Sequence, residues 1–151
     1  MKTHGKIIPN STETLYRPVG PGQLSAIRRS GWRNFPVRKT HQKFFYPLLY
    51  EAHAVEVARN WHVFNSGIGH ILEFQMEREY LNQFTMNCIG GQQHIEYRIP
   101  AYKIMEFNQH IMGCIKLIAS YYLPLVSRDT SWSFLNANDL RLKNLYRLTP
   151  R

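Results

Sequence analysis

The chain has 151 residues, 44% of them hydrophobic and 19% charged, which fits one globular domain with a core of its own. There are 19 lysines and arginines against 10 aspartates and glutamates, so the formal net charge is +9. No apolar run is long enough to span a bilayer, and no apolar segment of a signal peptide follows the first residues, so we expect no membrane partner. The positive charge favours an anionic partner, such as nucleic acid, a dinucleotide or an acidic antitoxin, although it also serves solubility alone.

Cysteine and histidine usage narrows the chemistry further. The two cysteines, Cys88 and Cys114, make neither a disulfide framework nor a zinc set, and we expect Cys114 to be a small core residue. The scattered histidines lack a metal-binding spacing, so no metal site is predicted. A reducing, cytoplasmic location is the expectation, and a toxin delivered to a target cell would show the same cysteine usage.

The first predicted elements are an arm, a strand and a helix. Residues 1–14 are polar and are expected to form a loose arm. Residues 15–19 predict a short strand in which Arg17 lies among apolar neighbours, either as a surface side chain or as an anion clamp. Apolar residues at helical spacing predict a helix over 23–30 that ends at Gly31.

A basic and aromatic loop is predicted over residues 32–43. It contains Trp32, Arg33, Phe35, Arg38 and Lys39. Such a mixture binds bases and phosphates, and it is equally typical of a loop that Trp32 and Phe35 attach to the core.

The middle and end of the chain alternate strands with short helices. Gly67 and Gly69 predict a turn. The apolar run over residues 114–122 predicts a buried strand. The predicted strands cover 44–49, 70–76 and 114–122, and the predicted helical segments cover 51–61 (with Ala54, Val55, Ala58 and Trp61 as its apolar face), 77–84 and 101–112 (with Ile104, Met105, Asn108 and Ile111).

The stretch from Gly90 to Pro100 shows the clearest alternation. After the glycine pair, Ile95, Tyr97 and Ile99 fall on one side and His94, Glu96 and Arg98 on the other. This period of two predicts a half-buried strand, and Pro100 ends it. A histidine and a carboxylate thus share the face opposite the apolar one, as part of a solvated surface or of a functional site.

Short strands separated by short helices predict an α+β fold on a split or curved sheet. We expect one domain over residues 15–122 and a basic extension over 123–151. In that extension Trp132 and Phe134 would attach to the body, and a basic helix would cover 140–148.

The order of three motifs resembles the mono-ADP-ribosyltransferase family. A first strand reads Leu-Tyr-Arg, a second begins with aromatics, and a late strand carries Glu96 behind a glycine pair. The small bacterial and phage members sometimes called ADP-ribosylation/crystallin J1-like are the most similar. The resemblance implies a split-sheet core with short flanking helices.

The resemblance also implies NAD as co-substrate. Arg17 would hold a phosphate or ribose of NAD, and Phe45, Tyr46 and Tyr50 stand where the family has aromatics or a Ser-Thr-Ser motif, which is absent here. Glu96 matches the carboxylate that binds the nicotinamide ribose and stabilises an oxocarbenium-like state.

The acceptor is less well defined. His94 stands where the family often has Glu or Gln, so an arginine acceptor is disfavoured; His94 would act as a general base or hydrogen-bond Glu96. The net charge and the loop residues Trp32, Arg33, Arg38 and Lys39 favour DNA or RNA as acceptor, with protein as the runner-up. The alternatives are a nucleic-acid-binding protein without chemistry and an inactive transferase-like interaction module.

Overall fold

The computed structural model describes residues 11–123, which form an α+β fold with two antiparallel three-stranded sheets. The strands are β1 (Thr12–Val19), β2 (Phe44–Phe45), β3 (Ile68–Glu77), β4 (Thr85–Cys88), β5 (Ile95–Pro100) and β6 (Ile111–Tyr122). The helices are α1 (Pro21–Arg29), α2 (Glu51–Val57), α3 (Val63–Ser66), α4 (Arg78–Leu81) and α5 (Ile104–Gln109), with a π-helical segment at Ala58–His62 and a 3-10 turn at Ala101–Lys103. The predicted α+β class is confirmed.

The larger sheet has the order β1-β3-β6 and the smaller one β2-β5-β4. Leu48 joins them, because its backbone N–H and carbonyl both pair with Tyr16 of β1 at 2.8 Å while the residue also forms a bridge to Glu96 of β5. One row of paired backbone positions therefore crosses from one sheet to the other, through Tyr16, Leu48 and Glu96.

The core is built around four phenylalanines, Phe35, Phe45, Phe74 and Phe107, whose contacting rings have centroids 4.9 to 6.3 Å apart. Phe35 comes from the loop over residues 32–43, and Trp32 packs against the same core. Of the two interpretations of this loop, attachment to the core is therefore what the structure shows for its aromatic residues.

The first half of strand β3 is buried on both faces. Leu72, Phe74 and Met76 point into the main core. Ile71 alternates to the other face and packs with Leu48, Ala54 and neighbouring residues of the long helical segment.

The helix predicted over 51–61 continues to Ser66, and its apolar face was predicted wrongly at Trp61. The π-helical segment Ala58–His62 widens the turn, so Val57 and Val63 take the buried positions. Trp61 is 54% exposed as a result. A single widened turn with i→i+5 hydrogen bonds leaves no side-chain pattern that a sequence could reveal.

The boundaries of β1 and of the 101–112 helix also differ from prediction. β1 begins at Thr12, where Arg78 holds its start by hydrogen bonds to Ser11 and Thr12 and an ion pair with Glu13. The late helix ends at Gln109, with Phe107 in the core and Met105 exposed.

The late strand was predicted to be buried, and this was wrong. β6 begins at Ile111 and lies at the edge of its sheet, where Leu117 and Ile118 are each 38% exposed. Cys114, expected in the core, is exposed, as is Cys88. Ile115 is the one buried residue of this strand, and an edge strand can leave much of its length in water although its sequence is mostly apolar. The residues expected in the extension, Trp132, Phe134 and the 140–148 helix, lie outside the described residues.

Gly67 and Gly69, predicted together as a turn, have separate roles. Gly67 ends the helical segment with a φ of 78°, and Gly69 lies inside β3 against the π-helical segment. A Cβ atom at Gly69 would lie 2.5 Å from the Ala58 carbonyl oxygen, which is closer than real Cβ contacts come. Glycine thus permits the close approach of helix and strand.

Substitution Gly69→Ala is therefore expected to lower the free energy of unfolding by about 1 to 3 kcal/mol, as overpacking does. Gly22→Ala is the matched control, because nothing lies within 4 Å of its Cβ position in α1 and alanine favours a helix by about 1 kcal/mol. Urea unfolding monitored by circular dichroism measures both. Equal stabilities of the two variants would contradict the close-packing explanation.

Candidate functional site: a dicationic cavity beside the joined sheets

A cavity of about 380 Å³ opens beside β1, between the loop over residues 32–43 and the π-helical segment. Its polar wall includes Arg17, Arg38 and His62, and its apolar wall includes Leu48 and Trp61. Sequence reasoning singled out the two arginines separately, and the fold brings them to one cavity.

The two arginines are held around one aromatic ring. The guanidinium carbon of Arg17 lies 4.8 Å from the ring centroid of Phe45, and that of Arg38 lies 5.7 Å from the same centroid. Arg17 also donates a hydrogen bond to the Tyr46 carbonyl at 3.2 Å. Burial lowers the pKa of Arg38, but arginine remains charged in proteins. The cavity therefore presents two positioned cations, a setting suited to an anion.

His62 adds no charge to this wall near neutral pH. Burial lowers the pKa of His62 to about 4, and the charge of Arg17 lowers it as well. A hydrogen bond with the Pro18 backbone raises this pKa but does not outweigh the other two effects. A neutral imidazole beside two guanidinium groups can still offer a hydrogen bond to a ligand. No sequence pattern pointed to His62, because most of its neighbours in the cavity are distant in the chain.

The predicted catalytic pair lies on the other side of Leu48. Glu96 is 4% exposed and is flanked by Leu48 and, in β4, by Asn87. His94 comes directly before β5, and its Nε2 atom lies 2.7 Å from a carboxylate oxygen of Glu56 in α2.

His53, one turn earlier in α2, is buried and has its ring centroid 4.7 Å from that of His94. Sequence reasoning gave neither His53 nor Glu56 a role. Their spacing of three residues puts them on one helical face, but only the fold shows that this face meets His94.

Arg17 and Glu96 lie near each other in the backbone. Two strand spacings, about 10 Å, separate Tyr16 from Glu96 across Leu48, and Arg17 follows Tyr16. Among the described residues that line the Arg17 cavity, Glu96 and His94 do not appear. The structure thus brings the two strands together, while the side chains of Arg17 and Glu96 occupy separate surroundings.

The other residues predicted to bind NAD differ in their exposure to solvent. Phe45 is 1% exposed and is part of the core. Tyr46 is half-buried, with its ring 6.1 Å from that of Phe44. Tyr50 is exposed directly before α2.

The predicted acceptor residues do not share one environment. Trp32 has a positive φ of 63° and packs against the core with Arg28 over its ring. Arg33 and Lys39 are exposed, whereas Arg38 lines the cavity with Arg17.

Comparisons of this chain with models of protein families, with curated proteins and with solved structures yield no significant match. Within residues 11–123, no three histidine, cysteine or acidic side chains are placed to hold a metal ion. The same part of the chain contains no helix with the length and hydrophobicity that crossing a bilayer requires.

The low pKa of His62 predicts a stability that depends on pH. Because the folded protein holds His62 neutral down to about pH 4 while an unfolded histidine takes up a proton near 6.5, the unfolded state binds more protons in this window. The free energy of unfolding should therefore fall as the pH is lowered from about 6.5 to about 4. Substitution His62→Gln should make this decline shallower, as measured by urea unfolding at several pH values; an unchanged slope would show that His62 is not the group responsible.

Proposed function

We propose that this protein is an NAD-dependent mono-ADP-ribosyltransferase whose acceptor is a macromolecule, with DNA or RNA favoured over protein. The observation that carries the proposal is the row Tyr16–Leu48–Glu96, which places the Arg17 strand beside the Glu96 strand next to a dicationic cavity. The family resemblance expects these two strands to be close together, and their closeness supports the proposal although the two side chains lie in separate surroundings.

In this proposal the cavity receives the phosphates of NAD. Its volume of about 380 Å³ lies within the usual range of about 300 to 1,000 Å³ for small-molecule sites. Arg17 and Arg38 would each offer a planar fork of donors to the pyrophosphate oxygens. Trp61, exposed at the rim, offers the stacking surface that the enclosed ring of Phe45 does not.

Glu96 would act on the nicotinamide ribose. The bond between the ribose C1′ atom and nicotinamide breaks, its electron pair leaves with neutral nicotinamide, and the carboxylate stabilises the positive charge left on the ribose. An acceptor oxygen or nitrogen then forms a bond to C1′ and gives up its proton, for which His94, held by Glu56, would be the base. Since Glu96 is only 4% exposed, the proposal requires the structure around it to open when NAD binds.

Substitution Glu96→Gln tests the catalytic assignment. It removes the negative charge with little change in shape, so NAD cleavage and transfer should fall by at least about 100-fold, comparable to the loss of one preorganised electrostatic group. Glu79→Gln, at an exposed carboxylate of α4, is the matched control and should keep full activity. The measurement is release of labelled nicotinamide from NAD together with labelling of separate protein, DNA and RNA pools; a Glu96→Gln variant as active as the original would refute the assignment.

Substitution Arg17→Ala tests the phosphate site. Loss of a charged hydrogen-bonding group should raise the dissociation constant for NAD roughly 10- to 100-fold. Arg29→Ala, which removes an exposed charge from α1, controls for net charge. Isothermal titration calorimetry gives both constants, and equal affinities of the two variants would rule out the anion clamp.

A protein that neither cleaves NAD nor labels any of the three pools would refute the transferase proposal as a whole. The remaining candidates would then be the nucleic-acid-binding protein without chemistry and the inactive transferase-like interaction module.

A further inference from the structure

The outer face of the smaller sheet carries aromatic and cationic side chains. Phe44 pairs with Pro100, and Phe45 pairs with Ile99. Phe45 and Ile99 point into the core, so the alternation of strands turns Phe44 and Pro100 to the opposite face. The side chain of Arg98 lies on that face as well, with its guanidinium carbon 3.9 Å from the ring centroid of Phe44.

Two shallow cavities meet on this face, because Phe44 and Pro100 line both. The first, about 510 Å³, extends along the loop past Lys39 and Lys43 to Tyr102. The second, about 280 Å³, extends over Arg98 to Phe84. Together they form a continuous surface across the ends of β2, β5 and β4, which we call the outer platform and define by Lys43, Phe44, Phe84, Arg98 and Tyr102.

The charge of the outer platform has one sign. Arg38, Lys39 and Lys43 line the first cavity and Arg98 the second, and none of the described residues lining either cavity is acidic. Lys103 lies at the edge, with its Nζ atom 5.5 Å from the ring centroid of Phe84. A surface of this kind favours a polyanionic partner.

The aromatic residues specify what kind of polyanion fits. Tyr102 is 83% exposed, although burying a tyrosine ring would be favourable. Phe44 and Phe84 are half-buried, Phe44 with Arg98 against its ring and Phe84 packed on the core. Exposed rings interleaved with cations are the pattern by which proteins stack unpaired bases while holding the phosphates between them. In a duplex the bases are already stacked on each other and offer no such faces.

We infer that the outer platform binds single-stranded nucleic acid, with bases stacked on Tyr102 and the neighbouring rings and phosphates held by Arg98 and Lys43. This binding stands independently of NAD. The position differs from the one predicted from sequence, because Trp32 packs on the core and the platform is completed by residues of β5 and of the turn that follows it.

The platform also lies next to the proposed catalytic carboxylate. Glu96 precedes Arg98 by two residues, about 7 Å along the strand, and shares its face. A nucleic-acid strand bound on the platform would pass close to Glu96 along β5, and its access to the buried carboxylate would need the same opening that NAD needs. The role of that strand as the acceptor of ADP-ribose rests on the proposed function.

Fluorescence anisotropy of the full chain with labelled oligothymidylate, oligouridylate and a DNA duplex, without NAD, tests the inference. We expect tighter binding of at least one single strand than of the duplex. Tyr102→Ala should weaken that binding about tenfold through loss of one stacked base. Arg98→Gln should reduce the slope of log affinity against log salt by about 0.7, the value for one phosphate contact with a single strand.

Two variants serve as matched controls. Tyr122→Ala removes an exposed tyrosine from β6, and Arg29→Gln removes an exposed arginine from α1. Both should bind like the original protein. Losses in these controls as large as in Tyr102→Ala and Arg98→Gln, an unchanged affinity of the platform variants, or duplex binding as tight as single-strand binding would overturn the inference.

The same reagents separate this inference from the proposed function. If the protein binds single strands through Tyr102 but does not cleave NAD, the platform inference is supported and the transferase proposal is refuted. If it cleaves NAD but binds neither single strand, the transferase proposal is supported and the platform inference is refuted. If both stand, Tyr102→Ala should lower transfer to nucleic acid while leaving nicotinamide release unchanged.

Discussion

The double pairing of Leu48 is the interaction on which the rest of the structure depends. Its N–H and carbonyl are both bonded to Tyr16, while the residues on either side bond to β5: Leu49 donates to Ile95, and Tyr97 donates to the carbonyl of Pro47. One short segment thus satisfies the edges of two small sheets that would otherwise each end in open backbone groups. It also fixes the distance between the first strand and the fifth, so both the dicationic cavity and the surroundings of Glu96 take their positions from it.

The two cationic features differ in how their charge is held. In the cavity, Arg17 and Arg38 are packed around the buried ring of Phe45 beside a histidine that burial keeps neutral. Such preorganised groups favour a small ligand of defined shape, because little side-chain entropy is lost on binding. On the outer platform the lysines and Tyr102 stand in water, which suits a flexible polymer that is held at several weak points. The positive charge is therefore held in two kinds of surroundings, which share Arg38 and which the net charge of +9 alone does not distinguish.

Local sequence patterns predicted most of the helices and strands but not how these elements pack together. The alternation from Ile95 to Ile99 and the C-terminal glycine of α1 predicted those elements well, since each is decided by neighbours in the sequence. The exposed Trp61 and Cys114 were missed because they depend on a π-helical turn and on the place of β6 at a sheet edge. At the candidate site, the residue types of Arg17 and Glu96 were visible in the sequence. The contacts of His94 with α2 and the arrangement of Arg38 beside Arg17 were not, because they join segments far apart in the chain.

The pairing of Leu48 also limits where the length of this chain can vary. The loop over residues 32–43 makes its main core contacts through Trp32 and Phe35, so residues added near its exposed middle would bulge into water. One residue added between Phe45 and Leu48 would instead shift the alternation by one position and exchange the inward and outward faces of the segment. A related chain should therefore tolerate insertions in the loop while keeping the spacing from Phe45 to Leu48 constant, even where the amino acids themselves have changed.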